Sequence, residues 1–373
     1  MKLKVKINRE FLFNIYMMIM IGCKAFGIDQ TDRIYYFLFF LSCIFLVLSI
    51  FKYKWEKKSL LTIMLILIPF IISCMCGKNI TPVVFAITII GSIGIDKDKS
   101  MKIFCKEWIV FFMVNVSLSL LGIKSMQPNY LYNDSGVIGI AYGLGFGNKN
   151  QLAIACAVVL CAYIYLRFEK NKIIELIIVD IILYSILIYA QSTTGFVIMF
   201  FINISYFFFK IKILSKYTEG LVRVMCPAVI ILSFIASALY PFFAVLEVLN
   251  SILTTRIWLG HRALSIVPIS FFGKQITDFT IDNMYLSTYV KSGIIVFIIV
   301  FALYCKTQKN LYRKNMKKEL IIFSSMILVG VCEGAVLNPF INIFLIFVGY
   351  VFDDCFIKEV SCEQVYASNE KVL

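Results

Sequence analysis

Apolar stretches of about 20 residues recur along the whole of this 373-residue chain, and they constrain its fold more than any other feature. A helix rises about 1.5 Å per residue, so each stretch matches the ~30 Å hydrocarbon layer of a bilayer. Alternating barrel strands would not give such unbroken runs. Composition agrees: 61% hydrophobic and 16% charged residues, with a mean hydropathy of +0.88, is more apolar surface than one soluble core buries. The expected fold is therefore an all-α polytopic membrane protein. Spans are predicted at 11–28, 34–51, 59–76, 80–95, 104–123, 151–167, 173–190, 194–209, 226–245, 285–305, 319–335 and 338–352. The stretches at 80–95, 194–209 and 338–352 are short enough to turn back as re-entrant hairpins, so the expected count is ten to twelve. The first stretch is too long, too irregular and too poorly equipped with a cleavage site for a removable signal peptide, and is expected to stay in the mature chain.

The net charge of +14 raises the question of nucleic acid, but the placement of the cations answers it. With twelve spans, alternate connections carry them: Lys2 to Arg9, Lys52 to Lys58, Lys97 to Lys106, Arg167 to Lys172, Lys210 to Arg223, Lys306 to Lys318, and the tail. That side holds 27 of the 36 Lys and Arg, which puts it, with both termini, in the cytoplasm. Anionic headgroups account for the basic character, at roughly 1 kcal/mol per surface cation. Nucleic acid is not an expected partner. Most of the 12 cysteines fall inside predicted helices, Cys355 and Cys362 fall in the tail, and the long outer loops have none. No disulfide framework and no metal site follow, with one histidine in the chain. No repeat or linker divides it, so residues 1–373 read as one transmembrane domain.

Two connections, 124–150 and 246–284, are far longer than the rest, and both fall on the outer face. Long loops without low complexity are usually functional. The first ends in Tyr142-Gly143-Leu144-Gly145-Phe146-Gly147-Asn148-Lys149-Asn150-Gln151 before an apolar helix. The glycines allow a tight or positive-φ backbone. Asn148 at the helix start either caps it or joins Asn150 in meeting a ligand at an end that favours anions.

The second loop carries Leu253-Thr254-Thr255-Arg256-Ile257-Trp258-Leu259-Gly260-His261-Arg262-Ala263-Leu264 and then Phe271-Phe272-Gly273. This amphipathic helix either snorkels Trp and Arg at the headgroups or offers its arginines to phosphate, which their planar fork suits. Arg256 shares a helical face with Gly260 and Ala263, and Arg262 lies about 120° away, so the two need not grip one group. Asp278 follows, then Asp282-Asn283-Met284-Tyr285-Leu286 enters a helix containing Gly293. Asp282 or Asn283 either caps that helix or, for the carboxylate, orients a hydroxyl or accepts its proton. Gln191-Ser192-Thr193-Thr194-Gly195 makes an outer turn, and Asp180 and Glu333 are the carboxylates expected within or near the membrane.

The order of these motifs resembles the Wzy-type polysaccharide polymerases, related to the O-antigen ligases, and in particular the capsular forms of low-GC Gram-positive bacteria. The resemblance runs through most of the second half of the chain. It rests on Gly145-Phe146-Gly147-Asn148-Lys149-Asn150 before a helix, Ser192-Thr193-Thr194-Gly195, Thr255-Arg256 closing on Phe272-Gly273, and Asp282-Asn283-Met284-Tyr285-Leu286 before Gly293. The chain is not a full match. The family usually has Gly-Arg where this chain has Thr255-Arg256, His-Asn or Asp-Asn where it has Asp282-Asn283, and often Ser-Arg where it has Ser192-Thr193, which removes one phosphate contact.

The resemblance implies a glycosyltransferase C-like membrane bundle that works without metal or cofactor at the outer face of the cell membrane. It would transfer an undecaprenyl-diphosphate-linked glycan onto an undecaprenyl-diphosphate-linked repeat unit, in capsule or exopolysaccharide synthesis. Flippase and chain-length regulator proteins are the implied partners. Arg256 would meet the diphosphate with Arg262 as a second contact, and Asn148 and Asn150 would hold sugar hydroxyls or a phosphate oxygen. Asn283, Tyr285 and Ser192 are further expected substrate contacts. The base is His261 or Asp282, with His261 preferred for its pKa near 6.5. A ligase to another acceptor shares this chemistry. A flippase of lipid-linked sugar would be expected to show repeated halves and charges at mid-membrane, and a scaffold leaves the Arg-rich loop without a purpose.

Overall fold

A computed structural model describes residues 8–353 apart from 31, 54, 134–135, 171–172 and 211. Lys2, Lys4, Lys6, Lys54, Lys172 and the tail with Cys355 and Cys362 lie outside the described residues. The chain forms α1 (Arg9–Ala25), α2 (Arg33–Phe51), α3 (Lys57–Gly77), α4 (Thr81–Gly91) and α5 (Lys97–Leu120). A hairpin of β1 (Pro128–Asn133) and β2 (Gly136–Tyr142) follows. Then come α6 (Lys149–Arg167), α7 (Ile173–Tyr189), α8 (Thr193–Lys210), α9 (Lys212–Leu239), α10 (Ala244–Ile252), α11 (Arg256–Ile266), α12 (Met284–Ser287), α13 (Gly293–Arg313) and α14 (Lys317–Cys332). Among the described residues seven helices are long and apolar enough to cross a membrane, which makes this a polytopic helical membrane protein.

α6 is the centre of the bundle, packed against α5, α8, α7 and α14. Its run of Ala153, Ala155, Cys156, Ala157, Cys161 and Ala162 lets neighbouring backbones approach closely, the device by which helices associate in lipid. The outer faces of α2, α3 and α7 are the reverse: Phe37, Phe51, Leu65, Ile174 and Ile188 are exposed, as side chains solvated by acyl chains are. Where polar groups enter the bundle they meet one another. Tyr16 and Thr88 join α1 to α4 at 2.7 Å, and Asn203 donates to Asp180 across α7 and α8 at 3.0 Å.

Hydrogen bonds and ion pairs define the two ends. At one, Arg9 donates to the carbonyls of Gly91 and Ile93, and Asp353 accepts from Lys97 at 2.5 Å and from the Gly94 amide at 2.8 Å. Lys318 and Lys102 meet Asp98 there too. The long loops 124–150 and 246–284 gather at the other. The stretch expected as a span at 338–352 is a 3-10 turn over Ile343–Val348 continuing into a short helix. It runs from Asn338, in the cavity described below, to Asp353 at the opposite end. A 3-10 turn rises about 2.0 Å per residue, and protein on every side spares this segment the length lipid would demand.

Several boundaries differ from the sequence expectation, and three of the differences change the architecture. The loop 124–150 is not all irregular, because β1 and β2 pair antiparallel from Pro128↔Tyr142 to Asn133↔Gly136. α9 begins well before 226 and carries Pro227 inside it. The loop 246–284 holds two short helices, α10 and α11, rather than one.

Candidate active site

The chain reverses sharply between α10 and α11, where Thr254 (φ 50°) and Thr255 (φ 67°) are both left-handed. Each such residue costs about 1–2 kcal/mol, and strain of this kind is concentrated at functional sites. The reversal turns Arg256 inward at the first position of α11, where it is 4% exposed. Its guanidinium is fully engaged. Nε donates to the Cys332 carbonyl, and Nη1 to Thr194 Oγ1 at 3.2 Å, the Leu253 carbonyl at 3.0 Å and Thr254 Oγ1. Nη2 donates to Glu333 Oε1 at 2.7 Å and stands 3.7 Å from Asp282 Oδ2. The Ser192 turn, the Thr254 reversal, the entry to α12 and the end of α14 thus converge on one cation.

Glu333 sits just past the last residue of α14 and is 6% exposed. Its cationic neighbour is Arg256, which also stands 3.7 Å from the second acid, Asp282. A carboxylate that faces a cavity can accept a proton from a hydroxyl bound there and needs no histidine to do so.

Both acids face a cavity of about 560 Å³ at this end of the bundle. Lys24, Lys78 and Lys291 line it as well, and its amides include those of Asn79, Asn148, Asn150, Gln151, Gln275 and Asn338. Such a wall of amides and hydroxyls can hydrogen-bond a sugar from several directions. At one side Lys24 meets Asp29 at 2.6 Å and Gln151 Nε2 donates to Asp29 at 2.9 Å. Burial would raise the Asp29 carboxyl, but the Lys24 charge and these hydrogen bonds outweigh it and leave it below the usual carboxylate range.

The opposite wall is an interrupted helix. Residues Thr288–Ser292 form a π turn between α12 and α13, and the loop before it is stitched on: Ile294 N donates to the Ser270 carbonyl at 3.0 Å and Lys274 N to Val290 at 3.3 Å. Single π turns are frequent at functional sites, and this one sets Lys291 into the cavity. Gly273 (φ 86°) makes the stitching possible, since a Cβ there would overlap the Lys291 carbonyl. Gly122 also has a positive φ (73°) but open space around it. Thermal unfolding in detergent should therefore separate them: Gly122→Ala costs about 1–2 kcal/mol and Gly273→Ala clearly more. Equal losses would mean that the contact with Lys291 is slack.

Of the residues singled out from sequence, Asp282, Asn148 and Asn150 line the cavity, and Arg256 lies directly behind its two acids. Asn148 also caps α6, accepting from the amides of Asn150 and Gln151 at 3.0 and 2.9 Å, so those amides are already occupied. Asn283 caps α12 in the same way, from Tyr285 and Leu286. Tyr285 is buried and donates to the Ile327 carbonyl at 2.5 Å, while Ser192 donates to the Lys149 carbonyl at 3.4 Å. His261 turns to α9, its Nδ1 3.0 Å from the Ser237 carbonyl, and Arg262 stacks over Trp258 and Phe279. These last five side chains lie outside the cavity lining.

The sequence marks Glu333 as functional only in the general sense that an acid within or near the membrane is, offers Thr194 only as part of an outer turn, and gives no sign of Lys78 or Lys291. For Glu333 a signal existed, because it is the sole charged residue between Leu320 and Phe352. No protein-family model, curated protein or solved structure matches the chain.

Proposed function

We propose that this protein is a polysaccharide polymerase of the Wzy type. It would transfer an undecaprenyl-diphosphate-linked glycan onto an undecaprenyl-diphosphate-linked repeat unit at the outer face of the cell membrane. The observation that carries the reading is the pair of carboxylates, Glu333 and Asp282, held on the wall of an amide-lined cavity by one buried arginine. Glycosyl transfer needs an acceptor hydroxyl aligned on the anomeric carbon, a base for its proton and a stabilised leaving group. Glu333 is our choice of base, in place of His261, since it faces the cavity while the His261 ring is turned to the Ser237 carbonyl outside it. Asp282 is the second acid, and Arg256 orients both. As the acceptor oxygen bonds to the anomeric carbon, the bond to the diphosphate breaks and the acceptor proton passes to Glu333. Asn148, Asn150 and the neighbouring amides hold the sugars.

We read the topology as twelve passes with cytoplasmic termini. This is supported by Arg9 and Asp353, near the two ends of the described chain, both bonding to the segment 91–97 at the basic end of the bundle, away from the cavity. A flippase fits less well: the interruption at 288–292 falls near the start of the 30-residue helix Met284–Arg313, not at mid-membrane.

Deleting the gene tests the class of function. Single repeat units on the cell surface are expected. Loss of export would instead point to a flippase, and polymer made but left unattached to a ligase.

A further inference from the structure

Cations are scarce at the cavity end of this bundle. The basic connections at the other end and the termini hold 27 of the 36 Lys and Arg, yet three of the few that remain, Lys24, Lys78 and Lys291, line one cavity. They are not equivalent. Lys24 is neutralised by Asp29 at 2.6 Å. Lys78 and Lys291 have neither a hydrogen bond nor an ion pair among the described residues, and Asp282 reaches Lys291 through its field alone. Their backbones are neighbours: Gly77, which precedes Lys78, is packed so closely on the Lys291 carbonyl that a Cβ would not fit between them. Lys78 itself is left-handed (φ 48°) and exposed at the end of α3, whereas Lys291 is half-buried on the π turn. A half-buried ammonium with no partner is costly unless an anion completes it.

We infer that Lys78 and Lys291 together form the phosphate-receiving site of this cavity, taking the diphosphate of a prenyl-linked ligand, and that the arginines do not. Arg256 has its donors filled by protein acceptors and Arg262 is stacked on two rings outside the cavity. The pair lies in the same cavity as Glu333 and Asp282, so a leaving diphosphate and the base would face one substrate from two walls. This rests on the reading of the cavity as a transfer site, but it is tested by binding alone.

The test uses the full chain in nanodiscs of phosphatidylcholine, with farnesyl diphosphate, farnesol and inorganic pyrophosphate as probes. Farnesyl diphosphate should bind more tightly than pyrophosphate, and farnesol should bind weakly. Lys78→Gln and Lys291→Gln should each weaken farnesyl diphosphate about tenfold, the worth of one charge-assisted hydrogen bond. Lys102→Gln, a solvent-exposed change at the opposite end, should bind as the parent does. Parent-like binding by both lysine variants would overturn the assignment, as would equal competition by phosphatidylglycerol, which would mark a general headgroup contact. Either result leaves the transferase reading standing, because that reading falls on polymer length in Glu333 variants and not on this binding.

Discussion

Glu333→Gln should stop chain growth while leaving the fold in place. Glutamine is nearly isosteric with the protonated acid, and its Oε1 can still accept from Arg256 Nη2, so the junction between α11 and the end of α14 keeps its hydrogen bond. What is lost is the ability to take a proton, which general-base catalysis values at about 10²–10⁴-fold. Single repeat units on the surface and a normal melting temperature are the expected pair of results. As a base Glu333 works ionised, so the rate of the parent should rise with pH as this carboxyl ionises and then level off. In Glu333→Gln that rise should be lost. A rate profile that keeps its rise in that variant would assign the proton to another group.

Arg256→Ala should be the more damaging change, in stability as well as activity. It leaves the Cys332 and Leu253 carbonyls, Thr194 and two acids without their common donor, in a place where Arg256 itself is 4% exposed. Breaking a buried pair in this way costs about 3–5 kcal/mol. Arg256→Lys separates charge from geometry. It keeps a cation near Glu333 but cannot serve carbonyl, hydroxyls and carboxylates in one plane. We expect that variant to reach the membrane at near-normal levels and to lose about a hundredfold in polymer synthesis, the effect of moving a reacting group by roughly 1 Å. Parent-like activity in Arg256→Lys would reduce Arg256 to a structural charge.

The parts of the fold that depend on local pattern were open to reading from the sequence. Runs of apolar residues placed the helices to within a few residues at most boundaries, and Asn148 and Asn283 sit at the helix starts where their type suggested caps. The hairpin of β1 and β2 is not anticipated although tyrosines lie on one side, and Val137, Ile138 and Ile140 on the other, of a polar Asp-Ser-Gly stretch in the sequence. Its strands are short, and beside spans of 20 residues the alternation carried little weight. The length of α9 was missed because its polar first turns masked a helix that continues past Pro227.

At the candidate site, several of the segments that carry the motifs do meet around Arg256, but which side chains face the cavity did not follow from residue type. His261 was preferred for its intrinsic pKa, whereas its ring is spent on the Ser237 carbonyl. Glu333 faces the cavity only because it is held there by Arg256, a partner 77 residues away in the chain. Lys78 and Lys291 lie on different helices and meet only through Gly77 and a π turn, neither of which has a sequence signature.

The central claim is that the cavity bounded by Glu333 and Asp282 transfers glycan between lipid diphosphates. Its most direct test is the purified full chain, reconstituted in nanodiscs and supplied with an undecaprenyl-diphosphate-linked repeat unit, with products resolved by length. The parent should yield a ladder of growing polymer, and Glu333→Gln the starting unit alone. A ladder from Glu333→Gln like that of the parent would contradict the account.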